Sequence, residues 1–173
     1  KGPSARSCRL KLPHFGVVGA TTRLALLTAP LRTRFGATFR VDFYDEDALE
    51  TIVRRAAQAL QVDIDASGAR EIARRGRGTP RVALRLLRRV RDFAQVDHGG
   101  IIDEEVADSA LKSLSVDDKG FDRMDIRILT TIVNLFKGGP VGVETVAAAI
   151  GEQKDTLEDV YEPFLIQQGY LAR

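Results

Sequence analysis

Three arginines occur where the local sequence restricts the backbone, so each could hold an anionic group. Arg81 follows Gly78-Thr79-Pro80, in which the glycine breaks one helical pattern and the proline begins the next. Arg32 and Arg34 lie in a tight segment between a helical run and an extended one. An arginine held in this way can bind a phosphate or a carboxylate through paired hydrogen bonds. Taken alone, each arginine fits an ordinary surface charge equally well.

The residues that would complete a nucleotide or metal site are missing from these 173 residues. None of the six lysines lies in a Gly-x-x-x-x-Gly-Lys-Ser/Thr loop, so we expect no phosphate cradle here. Ile101-Ile102-Asp103-Glu104 resembles the end of a Walker B strand only superficially, because a helix follows at once. One cysteine, Cys8, and two histidines, His14 and His98, exclude a cysteine-rich zinc site and a histidine cluster. We therefore predict no metal site.

Charge varies along the chain more than its net value of +2 indicates. Residues 1–43 hold eight basic and one acidic side chain, residues 44–118 hold twelve and fifteen, and residues 119–173 hold six and eight. Nine arginines fall within residues 70–92, a density that can bind nucleic acid. No aromatic side chains are interleaved with them, and Arg81, Arg85 and Arg88 trace one helix face. This favours a solvated or intersubunit face over a nucleic-acid surface.

Three kinds of pattern follow one another along the chain. Alternating or short apolar runs predict strands at 8–12, 15–19 and 39–43. Helical spacing then predicts four helices, at 45–60 with Asp45 as N-cap, at 67–75, from Pro80, and at 103–114. After a linker at 117–120 come a helix that contains residues 126–136 and stops at Lys137, a short extended piece at 141–143, helices at about 144–150 and 155–168, and a strand from 169. This last order is typical of a winged helix. The first helix after the linker is predicted to turn five residues inward: Ile126, Leu129, Ile132, Val133 and Phe136.

Several long strings, taken in order, resemble the RuvB family of AAA+ motors, which drive branch migration of Holliday junctions. In the first half they are Gly19-Ala20-Thr21-Thr22-Arg23, Pro30-Leu31-Arg32-Thr33-Arg34-Phe35-Gly36 and Arg77-Gly78-Thr79-Pro80-Arg81. In the second half they are Gly120-Phe121-Asp122, Gly138-Gly139-Pro140-Val141-Gly142 and Ile166-Gln167-Gln168-Gly169-Tyr170-Leu171. The resemblance covers the whole chain without gaps. It implies the C-terminal part of an AAA+ α/β domain (1–43), a helical lid (44–118) and a winged-helix domain (119–173), a mixed α/β and mainly α architecture.

The resemblance implies roles for residues that contact ATP. Thr21 and Thr22 match the sensor-1 turn, which senses the γ-phosphate, and Arg34 matches the arginine finger given in trans to a neighbouring subunit. Tyr44 matches a nucleotide contact at the start of the lid, and Arg81 matches the sensor-2 arginine on the phosphates. The implied cofactors of the parent protein are ATP and Mg²⁺. The phosphate loop and the Mg²⁺ ligands are absent from these residues, so we expect the chain alone to be inactive.

The resemblance also implies partners. Arg173 matches a wing arginine on DNA, and Lys154 lies where the family often has a basic residue. Cys8 and Leu10 match the hairpin that docks on RuvA. The implied assembly is a homohexamer that works on Holliday junction or duplex DNA in the bacterial cytoplasm, with RuvA and a RuvC-type resolvase and away from the membrane. Among the departures from the family pattern, Leu84 replaces an asparagine on a helix face expected to be exposed.

Two alternatives remain open at this stage. The chain could be a non-enzymatic winged-helix DNA-binding protein, such as a regulator, or an inert gene fragment. Residues 155–168, which would be the recognition helix, contain four acids and no lysine or arginine. A helix in the major groove passes close to phosphates and normally carries basic residues, so this composition argues against sequence-specific recognition.

Overall fold

The structure is a computed structural model and describes residues 13–22, 24–97 and 99–173. The chain divides into two compact units, Lys1–Val41 and Asp42–Arg173. In the described part of the first unit, a 3₁₀ turn at Leu24–Leu26 precedes a one-turn helix, α1 (Ala29–Arg32). Pro30 stands in the first turn of α1, where its missing N–H has no helical partner to lose. Pro30, which from the sequence would be expected to interrupt a helical run at 24–31, therefore lies at the start of a helix.

Two predicted strands of the first part of the chain are wrong. Residues 15–19 and 39–43 have no strand structure, and their apolar side chains are exposed, with Val18 at 100% and Phe39 at 86%. A strand needs a neighbouring strand to pair its backbone groups. Among the described residues, the only sheet pairs two short strands much further along the chain. The predicted strand at 8–12 lies outside the described residues.

The second unit begins with four helices and that small sheet. They are, in order, α2 (Glu46–Ala59), β1 (Asp63–Ile64), α3 (Ala66–Arg74), α4 (Pro80–Asp97), β2 (Ile101–Ile102) and α5 (Glu104–Ser113). The strands are parallel, with Asp63 opposite Ile101. Aspartate side chains accept a backbone N–H in the first turns of three of these helices: Asp45 for α2, Asp65 for α3 and Asp103 for α5. These caps explain why the sequence predicted the helix starts closely.

The core of this helical part is built around α4. Five apolar residues at helical spacing on that helix are buried: Ala83, Leu86, Leu87, Val90 and Ala94. Leu84, expected on an exposed face, is half-buried and packs against this core. The predicted row of Arg81, Arg85 and Arg88 is exposed on the opposite side. At 18 residues α4 is the longest described helix, and none of those described is long and apolar enough to span a membrane.

A second core follows, with helices α6 (Arg123–Phe136), α7 (Val143–Ile150), α8 (Lys154–Thr156) and α9 (Glu162–Gln167). A π-helical turn at Leu157–Tyr161 joins α8 to α9, so residues 154–167 form the single helical stretch that was predicted at 155–168. Residues 169–171 are not a strand, because no neighbouring strand pairs with them in the described part of the chain.

Helix α6 is rotated relative to the prediction. Asp125 and Ile128 are buried, and Leu129, Ile132 and Phe136 are half-buried along the same stripe. Ile126 and Val133, which were predicted to face inward, are exposed. The carboxylate of Asp125 receives the backbone N–H of Asp122 in a capping box, and this burial of a polar residue sets which face of the helix turns inward.

A buried guanidinium holds the end of α3 against α5 and the segment that follows it. Arg75 has no exposed surface. Its Nη1 donates to the carbonyl of Val116 at 3.0 Å. Its Nη2 donates to Glu71 at 2.5 Å and to Asp108, and also lies 3.2 Å from a carboxylate oxygen of Asp118. The predicted linker at 117–120 is therefore anchored to the helical core by one arginine.

Substituting this arginine should strongly destabilise the chain. We expect Arg75→Ala to lower the free energy of unfolding by about 2–4 kcal/mol, because the carbonyl of Val116 loses its buried donor and Glu71 keeps only the guanidinium of Arg74. Arg89→Ala is the matched control, because Arg89 is exposed and forms a single long ion pair, 3.6 Å from Asp92. This substitution should change the free energy of unfolding by less than about 0.5 kcal/mol. Urea denaturation of both variants measures the difference, and equal losses would contradict the assigned role of Arg75.

Candidate functional site

The structure brings Tyr44 next to the loop that leads into α4. The backbone N–H of Tyr44 donates to the carbonyl of Gly78 at 2.8 Å. Three residues after Gly78, in the first turn of α4, the guanidinium of Arg81 is exposed and forms no ion pair within the described part of the chain. The two residues predicted to contact a nucleotide in the second unit are thus both connected to this loop, Tyr44 by a hydrogen bond and Arg81 along the chain.

The conformation of this loop requires glycine at position 78. Gly78 has a φ of +66°, in the left-handed region where a side chain is disfavoured. A Cβ at this position would lie 2.9 Å from the Cβ of Phe43. The close approach of residues 43 and 44 to the loop therefore depends on the absence of a side chain.

Close packing also excludes a side chain at Gly76, at the start of the same loop. A Cβ on Gly76 would lie 2.9 Å from both the Cβ of Ala83 and the carbonyl oxygen of Ala73. The carbonyl of Thr79 accepts the N–H of Ala83 at 3.1 Å, which begins α4, and the N–H of Thr79 donates to Gly76 at 3.0 Å. Arg81 is therefore presented from a rigid turn.

In the first unit, the predicted sensor and finger segments are close to one another. A Cβ on Gly19 would lie 3.6 Å from the ring of Phe35, the residue that follows Arg34. Thr21, Thr22 and Arg34 are all exposed. The N–H of Arg34 donates to Leu31 at 3.2 Å, so the arginine extends from the turn that ends α1. Cys8 and Leu10, the predicted RuvA contacts, lie outside the described residues.

Both predicted DNA contacts are ion-paired with acids of the second core. Nζ of Lys154 lies 2.9 Å from Glu144, and this pairing raises the pKa of Lys154 and lowers that of Glu144. Arg173 donates to both carboxylate oxygens of Glu162, at 3.0 and 2.7 Å. Ion pairs at an exposed surface contribute little net free energy, so a phosphate could replace either carboxylate.

The sequence analysis missed a second guanidinium contact, made by Arg77. Its Nη2 lies 2.5 Å from Asp125 and 3.1 Å from Asp122, and its Nε donates to the carbonyl of Gly120 at 2.8 Å. Burial raises the pKa of Asp125 to about 6, although the N–H of Asp122 and the charge of Arg77 act in the opposite direction. Nothing local in the sequence pointed to Arg77 as the partner of Asp122 and Asp125.

The described residues differ in how well they fit the two cofactors of the resemblance. Arg81 forms no ion pair with a carboxylate in the described part of the chain, and the side chain of Tyr44 is exposed, so both are accessible to a nucleotide. Among the described side chains, no group of three or more His, Cys, Asp or Glu could hold a metal ion.

Three known protein families match consecutive parts of the chain. Residues 1–41 match the Holliday junction DNA helicase RuvB P-loop domain, residues 44–117 the RuvB AAA lid domain, and residues 118–173 the RuvB C-terminal winged helix domain. The chain belongs to the RuvB family. The resemblance that the sequence motifs indicated is confirmed, as are the lid and winged-helix parts of the fold.

Individual relatives agree. The chain is 60% identical, over all 173 residues, to the Holliday junction branch migration complex subunit RuvB of Dehalococcoides mccartyi (strain CBDB1) and covers 50% of that protein. A mutant of Thermotoga maritima RuvB superposes with a TM-score of 0.84 at 46% identity, covering 90% of this chain and 52% of that one. The Thermotoga maritima RuvB Holliday junction branch migration motor gives 0.81 at 45%, covering 86% and 50%. The chain thus spans about half the length of these RuvB proteins.

Gly78 and Gly99 have nearly the same φ angle, so substituting each by alanine separates the cost of the left-handed backbone from the cost of the steric overlap with Phe43. Gly99 has a φ of +65°, but a Cβ there meets nothing within 4 Å. We expect Gly99→Ala to cost about 1 kcal/mol, from the left-handed backbone alone. Gly78→Ala should cost about 2–3 kcal/mol, because the methyl group also overlaps Phe43.

Urea denaturation gives both costs, and amide hydrogen exchange of Tyr44 reports whether residues 43 and 44 leave the loop. Equal destabilisation by the two substitutions, with unchanged exchange at Tyr44, would show that the close approach at Gly78 is unimportant.

Proposed function

We propose that this chain supplies the sensors, the arginine finger and the DNA-binding part of an ATP-driven motor of the RuvB type, which moves the branch point of a Holliday junction. The observation that carries the proposal is the hydrogen bond from Tyr44 to Gly78 in the loop that leads to Arg81, in a chain that RuvB domains match throughout. The 173 residues alone do not hydrolyse ATP in this proposal, because they contain no phosphate loop.

The proposed roles follow from charge and position. Arg81 binds the phosphates of ATP from the rigid start of α4, and Tyr44 contacts the nucleotide from the adjacent backbone. Thr21 and Thr22 sense the γ-phosphate through their hydroxyls. Arg34 stabilises the charge that develops on the transferring phosphoryl group of a neighbouring subunit in a homohexamer, as arginine fingers do. Its exposure at the end of a short helix suits a contact with a second chain.

The proposed partners are RuvA, bound through Cys8 and Leu10, and Holliday junction or duplex DNA, bound through Arg173 and Lys154, with a RuvC-type resolvase in the same complex in the bacterial cytoplasm. The DNA contacts proposed here go to phosphates and not to base edges. This is consistent with the acids on the helical stretch 154–167, which disfavour insertion into the major groove.

Substitutions of Arg34 and of its neighbour Arg32 test whether Arg34 is the arginine finger. We propose a chimera that joins these 173 residues to the remaining half of the D. mccartyi RuvB. Arg34→Ala should leave ATP binding unchanged but lower hydrolysis by about 10³-fold or more, because the transition state on the neighbouring subunit loses its cation. Arg32→Ala is the matched control, since Arg32 is also exposed and lies only two residues away.

Rates of phosphate release and the binding of a fluorescent ATP analogue measure the two effects. Mixing the Arg34→Ala chimera with a subunit that lacks the phosphate-loop lysine should restore part of the activity through mixed interfaces. Failure to restore it at any ratio would refute action in trans, and equal loss in Arg32→Ala would refute the choice of Arg34.

DNA binding by the 173-residue chain should be weak, indifferent to sequence and steeply dependent on salt. Glu144→Gln releases Lys154 from its ion pair and should raise affinity for duplex DNA. Glu104→Gln removes the same charge from an exposed first turn of α5, away from Lys154, and should raise it less. Arg173→Gln should lower affinity and reduce the salt slope by about 1.

Fluorescence anisotropy at several salt concentrations, with duplexes of different sequence, measures these effects. Equal gains in Glu144→Gln and Glu104→Gln would show that Lys154 is not a specific contact. Tight binding to one preferred sequence at physiological salt would instead support the alternative function as a regulator.

A further inference from the structure

Arg77 is the point at which the loop leading into α4 meets the second core. Its backbone lies between Gly76 and Gly78, which are both packed too closely to accept a side chain. Its guanidinium extends away from that loop and contacts the start of α6 and the segment before it. The backbone of Arg77 is therefore part of the loop, and its side chain packs against the winged-helix part.

The contacts of this guanidinium are numerous and largely shielded from water. Only 11% of the side chain is exposed. It reaches the carboxylates of Asp122 and Asp125, donates to the carbonyl of Gly120 and lies 4.6 Å from the centre of the Phe164 ring on α9. Asp125 is itself fully buried, and its Oδ1 has no hydrogen-bond partner among the described residues, so this carboxylate depends heavily on Arg77.

The backbone of Arg77 is also unfavourable by itself. Its φ of +55° lies in the left-handed region, which costs a non-glycine residue roughly 1–2 kcal/mol. A residue keeps such an unfavourable conformation only where surrounding contacts compensate for it, and here those contacts are made by the side chain. Glycine would remove the backbone cost, but it could not reach the winged-helix part.

On the other side of the same loop, the carbonyl of Gly78 receives the N–H of Tyr44 at 2.8 Å. A continuous series of contacts therefore runs from α6 through Arg77 and Gly78 to Tyr44, and along the chain to Arg81. We infer that Arg77 is a positioning residue, which ties the winged-helix part to the loop that holds Tyr44 and presents Arg81. The functional half of this inference rests on the proposed nucleotide contacts of Tyr44 and Arg81.

The consequence is mechanical. A load on the winged-helix part, such as that from bound DNA, acts on α6, and the ion pair carries it to the loop without an intervening flexible linker. Conversely, a shift of Arg81 toward phosphates displaces the loop and, through Arg77, the start of α6. The coupling needs both the charge and the forked geometry of arginine, because Gly120 and Asp125 are contacted at once.

The first test uses amide hydrogen exchange of the 173-residue chain. Arg77→Gly removes the guanidinium without backbone strain, and Asp125→Asn removes the charge of its partner on α6. Each should speed exchange of the Tyr44 amide by roughly tenfold while leaving that of Leu111, in the core of α5, unchanged. The double variant should exchange no faster than the faster single variant. Arg89→Ala, an exposed arginine of α4, should have no effect.

The second test uses ATP hydrolysis by the chimera. Arg77→Gly should raise the KM for ATP and reduce the stimulation of hydrolysis by duplex DNA, and Arg77→Lys should restore both only in part. Arg89→Ala should change neither quantity.

The two tests separate the inference from the proposed function. Unchanged exchange at Tyr44 in Arg77→Gly and Asp125→Asn would overturn the inference, whatever the chimera does. Faster exchange with unchanged KM and DNA stimulation would show that Arg77 is structural only and would also overturn it. A chimera with no ATP hydrolysis before any substitution would count against the proposed function, and the exchange result would still decide whether the contact series exists.

Discussion

The burial of the Arg75 guanidinium is the constraint on which the second unit depends. Removing a charge of this size from water costs several kcal/mol, so it is tolerated only where carboxylates surround it. Glu71 on α3, Asp108 on α5 and Asp118 after α5 supply them, and Lys112 and Arg75 together keep the pKa of Asp108 below its usual value. Three separate parts of the chain must therefore meet at one point. The predicted linker begins at that point and is held there.

Arg77 extends the same arrangement by two residues along the chain. Arg75 is directed into the helical core and the segment that follows it, and Arg77 is directed to α6 and Phe164. A Cβ on Gly120 would lie 3.0 Å from the carbonyl oxygen of Arg75, so a side chain there would be in tight contact with this backbone. The helical and winged-helix parts of the RuvB family chain thus share a charged, closely packed junction. Tyr44 and Arg81 lie on the far side of the loop that leaves it.

Arginines of one stretch have opposite environments for a physical reason. Arg81, Arg85 and Arg88 follow helical spacing on the side of α4 opposite its apolar stripe and stay in water. Arg75 and Arg77 come at the end of α3 and in the loop after it, where each finds several oxygen acceptors. The planar, forked guanidinium can satisfy acceptors in more than one direction, which a lysine ammonium on a flexible stem does less well. The high arginine content therefore serves packing as well as the proposed phosphate contacts.

The sequence alone determined the positions of the longer helices of the second unit and the family, because both depend on local information. Aspartate N-caps and 3.6-residue spacing act within a few residues of each helix, and the family strings are contiguous. Tertiary structure decided the rest. The partners of Arg75 and Arg77 in the segment after α5 and in α6 lie more than forty residues away in sequence, so no local pattern could show that these two arginines are buried. The strands expected at 15–19 and 39–43 needed neighbouring strands, which an alternating pattern of apolar residues does not predict. The rotation of α6 followed from the burial of Asp125 beside Arg77, a contact between distant parts of the chain.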